Sequence, residues 1–398
     1  MRLKPNNTAK HWVRSSTNRE AAFLTMLVFA ILSLVLSGCT AQNKADYKPP
    51  LPSSMDLPNR PASTLTKATP AQILVKGIYV SAHSLHSEKF NQLLHLVDTT
   101  DLNAMVIDLK TDSGQVTYPS IVPLVKEIGA NSNLLIPDLK EKLKLLKSKQ
   151  IYTIARVVVF KDPYLSNRKN NFAIRSKSGA VWRDNKGVSW VDPYKEKVWD
   201  YNIDIAQEAA EMGFDEIQFD YVRFPENGRK MDEEVHFEQT HGWSKAQVIE
   251  AFLKRAKSQI GTKAIVSVDV FGLTTSSQQD MGIGQEWSLI SKEVDVISPM
   301  LYPSHYSKGI YGIANPDLQP YLVINRAVAD ARKKNEQLLQ SKQSAARIRP
   351  WFQDFTATWV YPHKNYGLLD VKEQIKAAHE QGIDEFLLWN SHCTYSYR

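Results

Sequence analysis

The stretch WVDPYKEKVWDYNIDIAQEAAEMGFDEIQFDYVRFP, residues 190–225, contains one complete helix-then-strand unit. Asp192 is placed to cap a helix, and Pro193 suits a first turn, where no backbone N–H is needed. Val198, Tyr201, Ile205, Ala209 and Met212 recur at three- and four-residue steps, which puts them on one helical face. Gly213 can then adopt the left-handed backbone that ends a helix. The run DEIQFD, 215–220, follows almost at once and reads as a strand. A period of two sets Glu216, Gln218 and Asp220 on one side of it.

The same alternation extends in both directions. Eight short runs rich in β-branched and aromatic residues are predicted as strands: 76–81, 103–109, 151–159, 215–220, 264–270, 294–301, 348–353 and 384–389. The last unit repeats the first, with Asp370 as the expected cap and Gly382 as the stop. Strands alternating with helical patterns imply a parallel sheet, and eight units imply an α/β fold of the (β/α)8 TIM-barrel type. A doubly wound open sheet is the alternative, but no GxGxxG turn follows a strand. Long connections after the third, fourth and sixth runs all leave strand carboxyl ends. They would crown the one face where barrels carry their active sites.

The predicted organisation is a signal segment (1–38), a lipidated cysteine with a tether (39–74) and the barrel (75–398). Ala21–Leu36 is apolar apart from Thr25 and Ser33, with basic residues before it and Leu36-Ser37-Gly38-Cys39 after it. A basic, apolar and small-residue sequence of this kind is a secretory signal. The LSGC ending resembles the bacterial lipobox, which implies acylation of Cys39 and a membrane anchor. Residue 40 is Thr rather than Asp; by resemblance to the Gram-negative sorting rule this implies the outer membrane if the source has one. Residues 40–72 contain Pro49, Pro50, Pro52, Pro58, Pro61 and Pro70 without apolar periodicity, and read as a disordered tether.

The net charge of +7 comes largely from that segment, where Arg2, Lys4, Lys10, Arg14 and Arg19 face only Glu20. The remainder is mildly basic and has no dense Lys/Arg stripe, so nucleic-acid binding is not expected. The only cysteines are Cys39 and Cys393. With Cys39 acylated no disulfide is available, and Cys393 reads as a small buried apolar residue.

Carboxylates stand at or just past several strand ends: Asp108, Asp162, Asp220, Asp269 and Asp354. Glycoside cleavage needs two such groups near one bond, one protonated and one ionised. Asp220 is the strongest candidate for the base or nucleophile, with Arg223 and Gln218 positioning or tuning it. Asp269, ending the next strand, is the candidate proton donor. Asp108 and Asp162 are candidate substrate contacts, although Asp108 could instead pair with Lys110, and Asp162 before Pro163 could be a turn residue. Tyr79, Trp190, Tyr302, Trp351 and Trp389 could stack on sugar rings or fill the core. His83 and His86 lack a third ligand, no metal motif occurs, and no cofactor is expected.

VKGIYVSA (75–82), LNAMVIDLKTDSGQVTYPS (102–120), IYTIARVVVFKDPYL (151–165) and GFDEIQFDYVRFP (213–225) carry a further signal. Together with DVFG (269–272), ISPMLYPSHY (297–306) and WFQDF (351–355), they resemble a bacterial family of glycoside-hydrolase-like domains, long carried as a domain of unknown function. The resemblance implies a barrel, a polysaccharide or oligosaccharide substrate and a catalytic Asp at the end of the fourth strand, here Asp220. With the lipobox, it implies a hydrolase of envelope or extracellular polysaccharide. The alternative is a non-catalytic glycan-binding or scaffold lipoprotein on the same barrel.

Overall fold

The computed structural model describes residues 73–398 apart from Asn227. The expected signal, Cys39 and most of the tether lie outside the described residues. Parallel strands form a closed ring: β1 (Lys76–Val80), β2 (Ala104–Lys110), β3 (Tyr152–Val158), β4 (Glu216–Asp220), β5 (Ile265–Phe271), β6 (Val296–Leu301), β7 (Arg347–Ile348), β8 (Trp351–Gln353) and β9 (Phe386–Trp389). β1 to β6 pair in chain order, β6 pairs with β7 and β8, β8 pairs with β9, and β9 returns to β1. The result is a (β/α)8 barrel, and the predicted strands fall within two residues of the observed ones. The seventh stave is split because Pro350 has no N–H for the ladder. β7 and β8 are its two halves, both paired with β6. Among the described residues no helix is long and apolar enough to cross a membrane.

The helix predicted from Asp192 begins at Glu196. Asp192 instead closes the turn before it, accepting the Tyr194 N–H at 2.9 Å. Val198, Tyr201, Ile205 and Ala209 are buried on the inner face, and Gly213 ends the helix at φ 99°. Asp370 likewise lies inside the first turn of the helix Leu368–His379 rather than at its cap, and takes the Gly367 N–H at 2.9 Å. Both carboxylates satisfy orphan N–H groups near a helix start, but from one side or the other of the position that spacing suggests.

A bulge in β2 decides two of the predicted roles. The register against β3 slips between Asp108 and Lys110. An extra residue there reverses the side to which the following side chains point. Asp108 faces the barrel interior, whereas Lys110 turns outward to Asp162, Nζ–Oδ2 2.8 Å, and over the Tyr201 ring.

Candidate active site

The barrel interior is layered by the period-two alternation of its strands. Near the bottom, Arg349 Nη1 donates to both oxygens of Glu216 at 2.8 Å. Above it Gln218 is fully buried, its amide 3.4 Å from Ser298 Oγ. At the carboxyl ends, β4 presents Asp220, β3 Arg156, β2 Asp108 and β1 Tyr79. Arg156 donates from Nη2 and Nε to Asp220 Oδ2 at 2.5 and 3.0 Å, and from Nη1 to Asp108 Oδ1 at 2.6 Å. Tyr79 donates to the other Asp108 oxygen at 2.5 Å. Burial alone would weaken the Arg156 charge; Asp220 and Asp108 reverse that and hold it firmly protonated. Asp220 Oδ1 accepts the N–H of Tyr221 at 2.6 Å. Tyr221 adopts φ 51°, a left-handed conformation unfavourable for a bulky residue, and this bend steers the chain away from the strand just beyond the carboxylate.

Asp269 stands beside Asp220. Phe219↔Val268 is the last pairing between β4 and β5, and Asp220 and Asp269 are the residues that directly follow it on these neighbouring strands, where strand spacing is about 4.8 Å. Trp351 Nε1 donates to Asp269 Oδ1 at 2.7 Å. Burial, then the negative charge of Asp220, push Asp269 well above the usual carboxylate range.

A cavity of about 540 Å³ opens over this layer, its wall including Arg156, Asp220, Tyr302, His305, Trp351 and Trp389. Its volume suits a small ligand. Gly272 at its edge cannot be larger, since a Cβ there would lie 2.5 Å from the Met300 carbonyl oxygen. A second hollow of about 170 Å³ adjoins it across Tyr221, Arg223 and Glu226, and contains Trp182 and Trp190. Among the described residues no group of three or more His, Cys, Asp or Glu could hold a metal ion.

The predicted site residues divide accordingly. Asp220, Tyr302, Trp351 and Trp389 line the main cavity; Arg223 lines both hollows and Trp190 the smaller one. Asp108 and Tyr79 sit behind the wall as partners of Arg156 and of each other. Asp269 also lies behind the wall, 2% exposed. The expected roles of Asp162, Gln218 and Arg223 are corrected. Asp162 is fully buried, pairs with Lys110 and caps the helix Pro163–Arg168 by accepting the Leu165 N–H at 2.7 Å, so it faces no substrate. Gln218 is fully buried, its side-chain amide turned to Ser298 rather than bonded to Asp220, and it does not line the cavity.

Arg223 does not hold Asp220 either. It bonds to Glu226 and the Phe224 carbonyl and lies among the rings of Trp190, Tyr221 and Phe271. Arg156 is the arginine that holds Asp220, and reasoning from spacing overlooked it. Its signal was present: one charged residue inside the apolar run IYTIARVVV must find a partner once buried. His305, held through Ser304 Oγ to Gln353, is a second overlooked wall residue. Asp354, the remaining strand-end carboxylate, anchors the carboxyl-terminal segment through the Ser396 N–H at 2.9 Å.

Residues 77–395 match a family model described as "Putative glycosyl hydrolase domain". Among solved structures, the chain is 39% identical to a hypothetical protein from Ruminiclostridium thermocellum, over 48% of this chain and 97% of that one, with TM-score 0.44. It resembles the PgaB (BpsB) glycoside hydrolase domain from Bordetella bronchiseptica at 12% identity and TM-score 0.53, over 81% of this chain and 95% of that one. A β-galactosidase from the haloarchaeon Halorubrum lacusprofundi aligns at 11% identity and TM-score 0.54, over 79% of this chain and 52% of that one. At such identities the likeness is one of fold. No protein of curated function matches the chain.

Proposed function

We propose, from the premise that this chain belongs to the family of glycosyl hydrolase domains matched over residues 77–395, that it hydrolyses a glycosidic bond in an envelope or extracellular polysaccharide. One observation carries the reading. Asp220 is fixed by Arg156 at the wall of a sugar-sized cavity, next to the strand that carries Asp269, a carboxyl whose hold on its proton burial strengthens. Two neighbouring carboxyls in different surroundings, one held by a cation and one buried against an indole, suit the two roles that glycoside cleavage requires.

In this mechanism Asp220, held by Arg156 and the Tyr221 N–H, attacks the anomeric carbon or takes a proton from an attacking water. Asp269 supplies the proton that the leaving oxygen needs. Because it stands behind the wall on the Trp351 indole, delivery requires that indole to shift as the sugar seats. Trp351 and Trp389 meet edge to face at 5.7 Å and offer a corner for the sugar's C–H face.

The test begins with a glycan panel incubated with the full-length protein in detergent. On a responsive glycan, Asp269→Asn should slow turnover, and less so for substrates with good leaving groups, which need little protonation. Equal slowing across leaving groups would remove the donor role. Glycans bound throughout the panel without cleavage would favour the non-catalytic reading. We further propose the anchor: Cys39→Ala should free the protein from membranes or leave its signal uncut, and unchanged lipid labelling in that variant would reject it.

A further inference from the structure

The loop 354–367 after β8 is tightly held, yet it displays large aromatic side chains. Asp317, 2% exposed, ties it down, accepting the Lys364 N–H at 2.9 Å, the Gln353 amide at 3.2 Å and, at its carbonyl, the Tyr366 hydroxyl at 3.1 Å. Gln353 also donates to the Phe355 carbonyl at 3.0 Å, and Thr356 Oγ1 accepts the Tyr366 N–H at 3.1 Å. From this frame Trp359 projects with 69% of its surface exposed and Tyr361 with 85%. Phe355 stacks against Trp359, ring centres 6.1 Å apart and planes 17° from parallel. His305 stands edge-on to both, at 6.2 and 6.5 Å, and also lines the main cavity.

An indole on a flexible loop could fold inward; this one is held outward by backbone and side-chain bonds. An exposed indole stacked on a second ring in an ordered frame is a ready contact surface for a partner. Because the frame is already ordered, little side-chain entropy is lost when a partner arrives. Continuity selects the partner, since the shelf runs through His305 into the cavity where the sugar is cut. A ligand ring on Trp359 would therefore belong to the same molecule as the ring at Asp220. A lipid surface against this shelf would instead close the cavity mouth.

We propose that Trp359, backed by Phe355, is a docking platform for a further sugar unit of the same glycan chain. The natural substrate is then a polymer gripped over several residues, and a single terminal sugar would leave the platform unused. The proposal rests on the glycan reading of the cavity.

The experiment is affinity electrophoresis of the full-length protein in detergent, through gels carrying glycol chitin, dextran or a β-glucan. Trp359→Ala, with melting unchanged, should weaken retardation about three- to tenfold, the weight of one aromatic stack. Trp359→Phe should restore part of it, as a stacking surface would and a merely steric role would not. Unchanged retardation in Trp359→Ala, or a wild-type protein that none of the gels retards, overturns the proposal. So does a Trp359→Ala change that weakens co-sedimentation with phosphatidylethanolamine–phosphatidylglycerol vesicles and leaves the gels unaffected, which would make the shelf a membrane contact. The hydrolase reading is scored separately: retardation that depends on Trp359, with no gel polymer cut, sinks that reading and leaves the platform standing.

Discussion

Two arginine clusters lie one above the other inside this barrel, built from the same chemistry and put to different ends. In the lower one Arg349 bonds to both Glu216 oxygens at 2.8 Å and reaches Glu385 at 3.4 Å, with Tyr152 also donating to Glu216 Oε2 at 3.1 Å. In the upper one Arg156 bridges Asp220 and Asp108 at 2.5 and 2.6 Å, with Tyr79 on the far Asp108 oxygen. Each is an arginine between two carboxylates with a tyrosine at one end. The difference is cover. Arg349 and Glu216 are wholly buried, whereas Arg156 and Asp220 form part of a cavity wall. A charge cluster sealed in a core can only hold strands together. The same cluster beside a cavity can meet a substrate, and at the carboxyl ends of the strands it stands where barrels do their chemistry.

Mutations should separate the two clusters, and the largest effect belongs to the upper one. Asp220→Asn keeps shape and most hydrogen bonds but removes the charge. Turnover of a responsive glycan should fall on the order of 10³-fold or more, roughly 4 kcal/mol in the barrier, with melting nearly unchanged. Normal turnover would show that the upper cluster is as structural as the lower. Next comes Arg349→Met, which strands Glu216 without a cation in the closed core. Chemical denaturation should show a loss of about 3–5 kcal/mol, and a loss below about 1 kcal/mol would mean that water reaches this layer after all.

Arg156→Met sharpens the contrast. It leaves Asp220 and Asp108 without their cation, but the cavity admits water to rehydrate them. The expected stability loss is about 1–3 kcal/mol, smaller than for Arg349→Met, together with a fall in activity of about 100-fold or more from misplacing Asp220. Equal destabilisation by the two changes would erase the distinction in cover.

The smallest effect concerns pH. Asp269 is raised in the folded state by burial and by Asp220, so the native protein holds a proton that the unfolded chain releases above about pH 4. Wild-type stability should therefore decline as pH rises from that point towards the folded-state value. Asp269→Asn, which cannot ionise, should melt a few °C higher than wild type at pH 7, with the gap closing near pH 4. A gap that stays constant across that range would show that Asp269 is not held protonated.

Much of this architecture could be read in advance, because the signals are local. Strand runs, helical stripes and Gly213 as a stop depend on residues a few positions apart. The same locality misplaced two caps, Asp192 and Asp370, since neighbouring positions near a helix start can serve the same orphan N–H groups. Asp220 was legible as a carboxylate at a strand end. Its partner was not, because Arg156 lies 64 residues away in the chain and Arg223, three residues away, looked sufficient. Trp359 gave no periodic signal at all, standing with Phe355 and Tyr361 in an irregular loop.

What the sequence determined by itself was the order of helices and strands, the barrel they close into and the set of carboxylates brought to its working end. These follow from side-chain periods of two and 3.6 and from the turn residues between them. Only the tertiary structure decided which carboxylates meet. A one-residue bulge in β2 sent Asp108 inward and Lys110 outward. That slip gave Asp162 a lysine and left Arg156 to join Asp108 with Asp220. Pairing between distant strands sets such a register, and a shift of one residue reverses every side chain beyond it; no pattern within a single run records that choice.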